Sequence, residues 1–232
     1  MTTETQRAHA VRAMFTRIAG RYDLMNSLMT AGRHHAWRRA TAQAAVEAPP
    51  GPILDLATGT ADLAIAVRDL DAARLVVGAD FSLGMLREAG PKLVDQTRVV
   101  LTAADALSLP FRDHAFACVV SAFLLRNLVD LERGLREMRR VTRPGGHVIS
   151  LDITRVVMPV WRSVFGLYFN RVVPAIGAAV AGDRRAYTYL PESVDRFLTP
   201  RELTEAMERA GLHNVHSRTF ALGTVGLHLA TA

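Results

Sequence analysis

Three aspartates and one glycine stand where a nucleoside can be held. The run Asp55-Leu56-Ala57-Thr58-Gly59-Thr60-Ala61-Asp62 closes an apolar stretch and opens a helical one. A glycine in such a turn lets backbone approach a ligand closely, and the helix start behind it offers unpaired N–H groups. The dinucleotide fingerprint needs three spaced glycines. Here Ala57 and Gly59 fill the corresponding positions and no third glycine is in register, which disfavours a pyrophosphate-binding turn. Asp80, 21 residues after Gly59, closes the next apolar run and precedes Phe81. In an α/β sheet this is the place of the acid that accepts from two ribose hydroxyls, the alternative being a helix cap ahead of Ser82. Asp105 follows the third apolar run and either accepts from an adenine amino group, with the Ala106 N–H beside it, or caps a turn.

The elements that must position these residues follow from apolar periodicity. Helical patterns cover residues 7–19 and 34–47, joined by the segment 22–32. After the breaker Pro49-Pro50-Gly51-Pro52, short apolar runs predict strands at 53–57, 75–79, 98–102, 117–122 and 147–152, with helices near 61–70, 83–90 and 130–141. Alternation of strand and helix means a parallel sheet covered on both faces. The chain ends differently: a helix near 200–210, then apolar runs at 213–220 and 224–230 separated only by 221–223, too short a link for a parallel crossover. The prediction is an α/β, Rossmann-like three-layer sandwich whose mostly parallel seven-stranded sheet ends in a C-terminal antiparallel hairpin. This is the class I methyltransferase plan, not the all-parallel plan of a nicotinamide dehydrogenase. Taken together, the acidic strand end, the single-glycine turn and the reversed hairpin point to S-adenosyl-L-methionine as cofactor.

Composition bounds the rest. A chain of 232 residues, 50% of them hydrophobic, is long enough for one full three-layer core, so residues 1–232 are read as a single domain. The single cysteine, Cys118, lies in an apolar run and excludes an intramolecular disulfide and a multi-cysteine metal site; no metal is expected. No apolar signal core and no run of about 18 uncharged apolar residues occurs, and the expected location is the cytoplasm. The net charge of +6, carried almost wholly by arginine with Lys92 the only lysine, favours an acidic partner, RNA or an anionic membrane surface. Four tyrosines and two tryptophans, mostly in apolar contexts, give little for base stacking, so nucleic acid is not expected.

Four marks give the chain a family resemblance: Tyr22-Asp23-Leu24-Met25-Asn26 leading to Gly32, His34 and Trp37; Leu125-Arg126-Asn127 after the fourth strand; Arg140-Val141-Thr142-Arg143-Pro144-Gly145-Gly146 leading to Asp152-Ile153-Thr154; and Tyr187-Thr188-Tyr189-Leu190-Pro191-Glu192-Ser193. From about Phe15 to His228 the chain resembles the UbiE/MenG family, the C-methyltransferases of menaquinone and ubiquinone synthesis. The resemblance carries cofactor contacts onto Thr60, Asp80, Asp105 and Ala106, and with the strand exits the candidate cofactor wall becomes Asp55, Ala57, Gly59, Thr60, Asp80, Phe81, Asp105, Ala106, Ser121 and Ala122. There are departures: Ser121 and Ala122 where a serine commonly leaves the fourth strand, Leu124 for a glycine, Ala117 for an aspartate, and Asp152 with Thr154 for a glutamate and a serine.

The resemblance implies a reduced prenylated quinol, most specifically demethylmenaquinol, methylated on a ring carbon beside a phenolic hydroxyl. A free phenol has a pKa near 10, so the enzyme must help remove that proton or stabilise the phenolate. Arg126, at the sheet edge where ligands of open α/β sheets bind, is the candidate for that charge, and Asn127 for orienting the hydroxyl. The competing reading of Arg126 is a surface ion pair with Asp130 or Glu132. His34 is the candidate proton acceptor, against a solvated place beside His35 on an arginine-rich helix. Tyr22, Met25 and Tyr187 are candidate substrate contacts. Residues 1–50 are read as a helical lid and 155–195 as an inserted helical substrate cover; the apolar stretch 156–181 either buries a prenyl tail, rests on a membrane or packs as an ordinary helix pair. Two rival readings remain: the same catalyst with another aromatic acceptor, or a catalytically silent RNA-binding or scaffold protein of the same fold.

Overall fold

The computed structural model describes residues 3–94, 96–156, 166–168, 171, 173 and 184–232. Three helices come first: α1 (Thr3–Ile18), α2 (Tyr22–Thr30) and α3 (Arg33–Val46). The alternating section follows, with β1 (Ile53–Leu56), α4 (Asp62–Leu70), β2 (Val76–Asp80), α5 (Leu83–Ala89), β3 (Val99–Ala103), β4 (Phe116–Ala122), α6 (Leu131–Val141) and β5 (Thr142–Ile153). The described part of the segment 155–195 includes α7 (Arg184–Asp195), and α8 (Pro200–Arg209), β6 (His213–Phe220) and β7 (Val225–Thr231) follow it. The segment 22–32, expected as a joining stretch, is itself mostly helix: Ala31 and Gly32 take left-handed φ of 48° and 73° and end it.

The seven strands form one sheet in the order β3-β2-β1-β4-β5-β7-β6. β1 to β5 run parallel, and β7 pairs antiparallel with both β5 and β6. The terminal hairpin therefore inserts its second strand between β5 and its own first strand. β5 begins five residues earlier than the apolar run suggests, because Thr142 pairs with Phe116 across a register shift.

Neighbouring residues on each central strand face opposite layers. Leu54, Leu56, Val119 and Val148 pack against Leu135 and Met138 of α6 and Leu203 and Met207 of α8. Ile53, Val76, Val120 and Ile149 pack against Trp37, Ala42 and Ala45 of α3 and Leu63 and Val67 of α4. On α6, Leu135, Met138 and Val141 follow the i, i+3 spacing of one buried stripe, each contributing about 1.5–3 kcal/mol of burial. A third cluster, of Met14, Ile18, Met25 and Met85, fastens α1 and α2 to α5 at the sheet's carboxyl edge.

Candidate active site

The carboxyl ends of β1, β2, β3 and β4 open on a cleft, the usual place of a ligand in an open α/β sheet. Its wall includes Ala57, Gly59, Asp80, Phe81, Asp105, Ala106 and Ala122, with Ala8, Val11 and Phe15 of α1 and Tyr22 of α2 opposite. Gly59 has φ +57°, and a side chain added there would meet only the Tyr22 ring, at 4.0 Å, so bare backbone faces the opening. Asp80 accepts from Gly59 N–H at 2.9 Å with one carboxylate oxygen and from Ser82 N–H at 2.8 Å with the other. Each oxygen keeps a lone pair for a ligand hydroxyl. Burial pushes the Asp80 carboxyl up, against the backbone N–H groups that hold its charge. The cap of α5 is Ser82, whose hydroxyl accepts from Met85 N–H, so Asp80 is not the helix cap. Asp105 uses one oxygen on Leu107 N–H at 2.9 Å. These groups fit a nucleoside cofactor: acceptors for ribose hydroxyls, an acceptor near the third strand and an apolar slot.

Three residues of the candidate wall stand behind it. Asp55 is buried, accepts from the Thr58 hydroxyl at 2.6 Å, and burial raises its pKa to about 7. Ser121 is fully buried with its hydroxyl unpartnered among the described residues. The Thr60 hydroxyl donates to Asp23 at 2.7 Å, fastening the cofactor turn to α2. Asp23 and Asp62 are in turn bridged by Lys92, at 2.6 and 2.7 Å.

A second cavity adjoins the first and shares Phe15, Tyr22, Phe123 and Asn127 with it. Its wall is apolar over Met14, Ile18, Met25, Met29, Trp37 and Ile153, and polar at Asn26, Thr30, His34, Arg126 and Tyr189. Arg126 is buried here. Its Nη1 donates to Asp152 at 2.6 Å, and Asp152 is fully buried, so the competing surface pair with Asp130 or Glu132 does not form. Asp130 caps α6 instead, and Glu132 meets Arg136 and Arg209. Sequence reading missed this because Asp152 lies 26 residues away, on the neighbouring strand.

His34 is also buried, at 1% exposure, and not solvated as its neighbours suggest. Its Nδ1 meets Nη1 of Arg38, which can only donate, so Nδ1 accepts and Nε2 carries the proton, donating to the Ser27 hydroxyl at 3.1 Å. Both ring nitrogens are engaged, and burial with the nearby Arg38 lowers the ring's pKa to about 4. Asn127 is committed too: Nδ2 donates to Phe123 C=O at 2.9 Å and Oδ1 accepts from Tyr189 OH at 3.2 Å. Met25 and Tyr22 line the cavity, whereas the Tyr187 side chain and nearly all of 156–181 lie outside the described residues.

Phe123, not among the candidates, holds the wall common to both cavities. It sits at φ +64°, a strained conformation for a bulky residue, costing on the order of 1–2 kcal/mol. Its carbonyl is gripped by Arg126 Nη1 and Asn127 Nδ2, both at 2.9 Å, and its N–H donates to Leu151 C=O at 2.7 Å. The Leu-Arg-Asn element thus fixes a ring between the two cavities. Left-handed backbone in a phenylalanine has no signature in composition or spacing.

The chain matches the ubiE/COQ5 methyltransferase family over residues 1–232. A demethylmenaquinone methyltransferase of Roseiflexus castenholzii is 43% identical over 225 residues, 96% of this chain and 93% of that one. The ubiquinone/menaquinone biosynthesis C-methyltransferase UbiE of Desulfotalea psychrophila is 39% identical over 218 residues, 94% and 88% of the two chains. Among solved structures, a SAM-dependent methyltransferase from Thermotoga maritima superposes with a TM-score of 0.65 at 18% identity, covering 94% of this chain and 98% of that one. The cyclase SpnF gives 0.69 at 20% identity, over 94% and 77%. These structural likenesses concern the fold alone. Matched along its whole length and close to full-length relatives, the chain belongs to the ubiE/COQ5 methyltransferase family.

Proposed function

We propose that this methyltransferase transfers a methyl group from S-adenosyl-L-methionine to a ring carbon of a reduced prenylated quinol, with demethylmenaquinol as the preferred acceptor. The observation that carries the reading is the pair of adjoining cavities, one ending at the Asp80 carboxylate and the other apolar around a buried arginine, meeting at Tyr22, Phe123 and Asn127. When bound, the cofactor supplies a sulfonium methyl group as electrophile. The chain's own residues do the rest. Asp80 holds the ribose, Gly59 and Ala57 let it approach, and Phe81, Asp105, Ala106 and Ala122 surround the base. Arg126 stabilises negative charge on the phenolic oxygen, and the Phe123 ring, gripped from behind, keeps the acceptor in line and water out. Thr60, Asp55 and Ser121 act one layer back, as supports of the turn and strand. With His34 engaged at both nitrogens, it shapes the cavity and leaves the proton to another acceptor.

Residues 1–50 then serve as the lid and 155–195 as the cover of the acceptor. Leu24 and Leu28, a turn apart on α2, are 53% and 44% exposed on a chain of net charge +6. That combination suits an anionic membrane face, from which a prenylated acceptor would be drawn.

The test is incubation with labelled S-adenosylmethionine and a panel of demethylated quinols, each offered reduced and oxidised. Label entering reduced demethylmenaquinol is the expected result. Equal labelling of the oxidised quinone with reduction blocked, or preference for a soluble unprenylated phenol, overturns the reading.

A further inference from the structure

A closed loop of polar bonds holds α2, the helix whose Tyr22 lines both cavities. Asp23 of α2 accepts from the Thr60 hydroxyl of the cofactor turn at 2.7 Å with one oxygen and from Lys92 at 2.6 Å with the other. Lys92, in the turn Gly90–Leu93 after α5, also donates to Asp62 of α4 at 2.7 Å. The second Asp62 oxygen faces Nη1 of Arg38 on α3 at 3.5 Å. Arg38 in turn meets His34, and His34 donates to Ser27, which brings the loop back to α2 one helical turn past Asp23.

The backbone lets α2 move as a unit. The turn Ala19–Arg21, with Gly20, precedes it, and the left-handed residues Ala31 and Gly32 follow it. A nine-residue helix between two such bends can seat or lift without unwinding. Seated, it lays the Tyr22 ring over the cofactor turn, 4.0 Å from where a Gly59 side chain would begin. The span of the loop through Lys92 is its most exposed part: the side chains of Lys92, Asp23 and Asp62 are 34%, 38% and 21% exposed, and Lys92 and Asp62 line neither of the two cavities. Pairs of this kind are weak singly and screened by salt, so they can break and re-form with α2 otherwise intact. Lys92 also cancels a repulsion, because without a cation between them the carboxylates of Asp23 and Asp62 push α2 away from α4.

We infer that Lys92 is the latch of a lid: the cofactor and its demethylated product enter and leave when the Lys92 bonds open and α2 lifts, and Lys92 sets the rate of that exchange without taking part in methyl transfer. The inference rests on the cofactor assignment above and needs no particular acceptor. A latch differs from an ordinary support in its kinetics. Loosening a support speeds dissociation alone, whereas loosening a latch speeds entry as well.

The experiment measures association and dissociation rates of labelled S-adenosylhomocysteine with wild type, Lys92→Met and Lys92→Arg, at low salt and at about 0.5 M salt. This ligand lacks the sulfonium charge, so salt acts on the protein's own pairs. In Lys92→Met dissociation is expected to rise by about tenfold and association by about threefold, while Lys92→Arg, which keeps the cation, stays within about twofold of wild type. Salt should raise both rates in wild type and leave Lys92→Met nearly unmoved. The single-turnover rate of methyl transfer with cofactor already bound should stay within about twofold in both variants. Faster dissociation without faster association in Lys92→Met, or wild-type rates in that variant, overturns the latch. If Lys92→Met does not fold, the salt series on wild type decides: rates that do not rise with salt overturn it. The expected exchange rates with no label entering any quinol would sink the acceptor reading and leave the latch standing, since exchange needs no acceptor.

Discussion

At the scale of single residues, the pairing of Arg126 with Asp152 decides how its role can be tested. Truncating Arg126 would leave a fully buried carboxylate with backbone N–H donors but no cation, a loss that typically costs about 3–5 kcal/mol, and lost activity would then say nothing about chemistry. Arg126→Lys keeps a cation for Asp152 and removes the planar fork and the Nε donor. Its single-turnover rate should fall by ~10²-fold with cofactor affinity unchanged and stability nearly so. A wild-type rate would reduce Arg126 to a structural partner of Asp152. His34 makes a pH-dependent contribution. Its pKa is lowered from 6.5 to about 4 in the folded chain, so below 6.5 the unfolded chain binds a proton that the folded one refuses. The stability it supports is present above 6.5 and is lost as pH falls toward 4, by roughly 3 kcal/mol in full. The stability difference between wild type and His34→Gln, from urea melts at successive pH values, should shrink across that window. A difference that is flat from pH 7 to pH 4 would mean that the ring titrates normally. Asp80 was legible because spacing from a glycine turn survives any detail of packing. The buried state of His34 was not, since His35 and the three arginines of the same helix suggest solvent and only the tertiary fold turns this one ring inward.

At the scale of elements, the end of β2 braces the end of β1. The Asp80 carboxylate bonds the Gly59 N–H across the strand pair and the Ser82 N–H of its own turn, so one side chain sets both turns that frame the cofactor. Asp80→Ala should weaken S-adenosylmethionine binding by about 2–3 kcal/mol in calorimetry, from loss of a charged acceptor for two hydroxyls. Asp80→Asn should recover only part, because its amide presents one acceptor where two are needed. Affinity equal to wild type in Asp80→Ala would remove ribose from its assignment. The alternating strands and helices could be read from apolar runs because each is buried on a face of fixed period. α2 could not: in a nine-residue helix with Asp23, Asn26, Ser27 and Thr30 between apolar positions, Asp23 and Ser27 are held by Thr60 and His34 on other elements, and local pattern carries no trace of those partners.

At the scale of the whole molecule, the order β3-β2-β1-β4-β5-β7-β6 puts every parallel carboxyl end on one edge, and both cavities lie there under α1 and α2. The short link before β7 foretold the reversal but not that β7 would enter between β5 and β6, which depends on which free edge the hairpin reaches. Tethering of α2 to that edge falls to Lys92, whose ammonium touches Asp23 of α2 and Asp62 of α4. Burial alone would lower its pKa, but its bonds to the two aspartates outweigh that and raise it, so the ammonium persists. Since the chain has no second lysine, amine-directed reagents have a single side-chain amine to meet, and it is this tether, whose pairing slows the reaction while it is closed. A fluorophore or crosslinker aimed at amines will not decorate the surface at random: apart from the chain's α-amine, it reports from, and unfastens, the clasp over the cofactor.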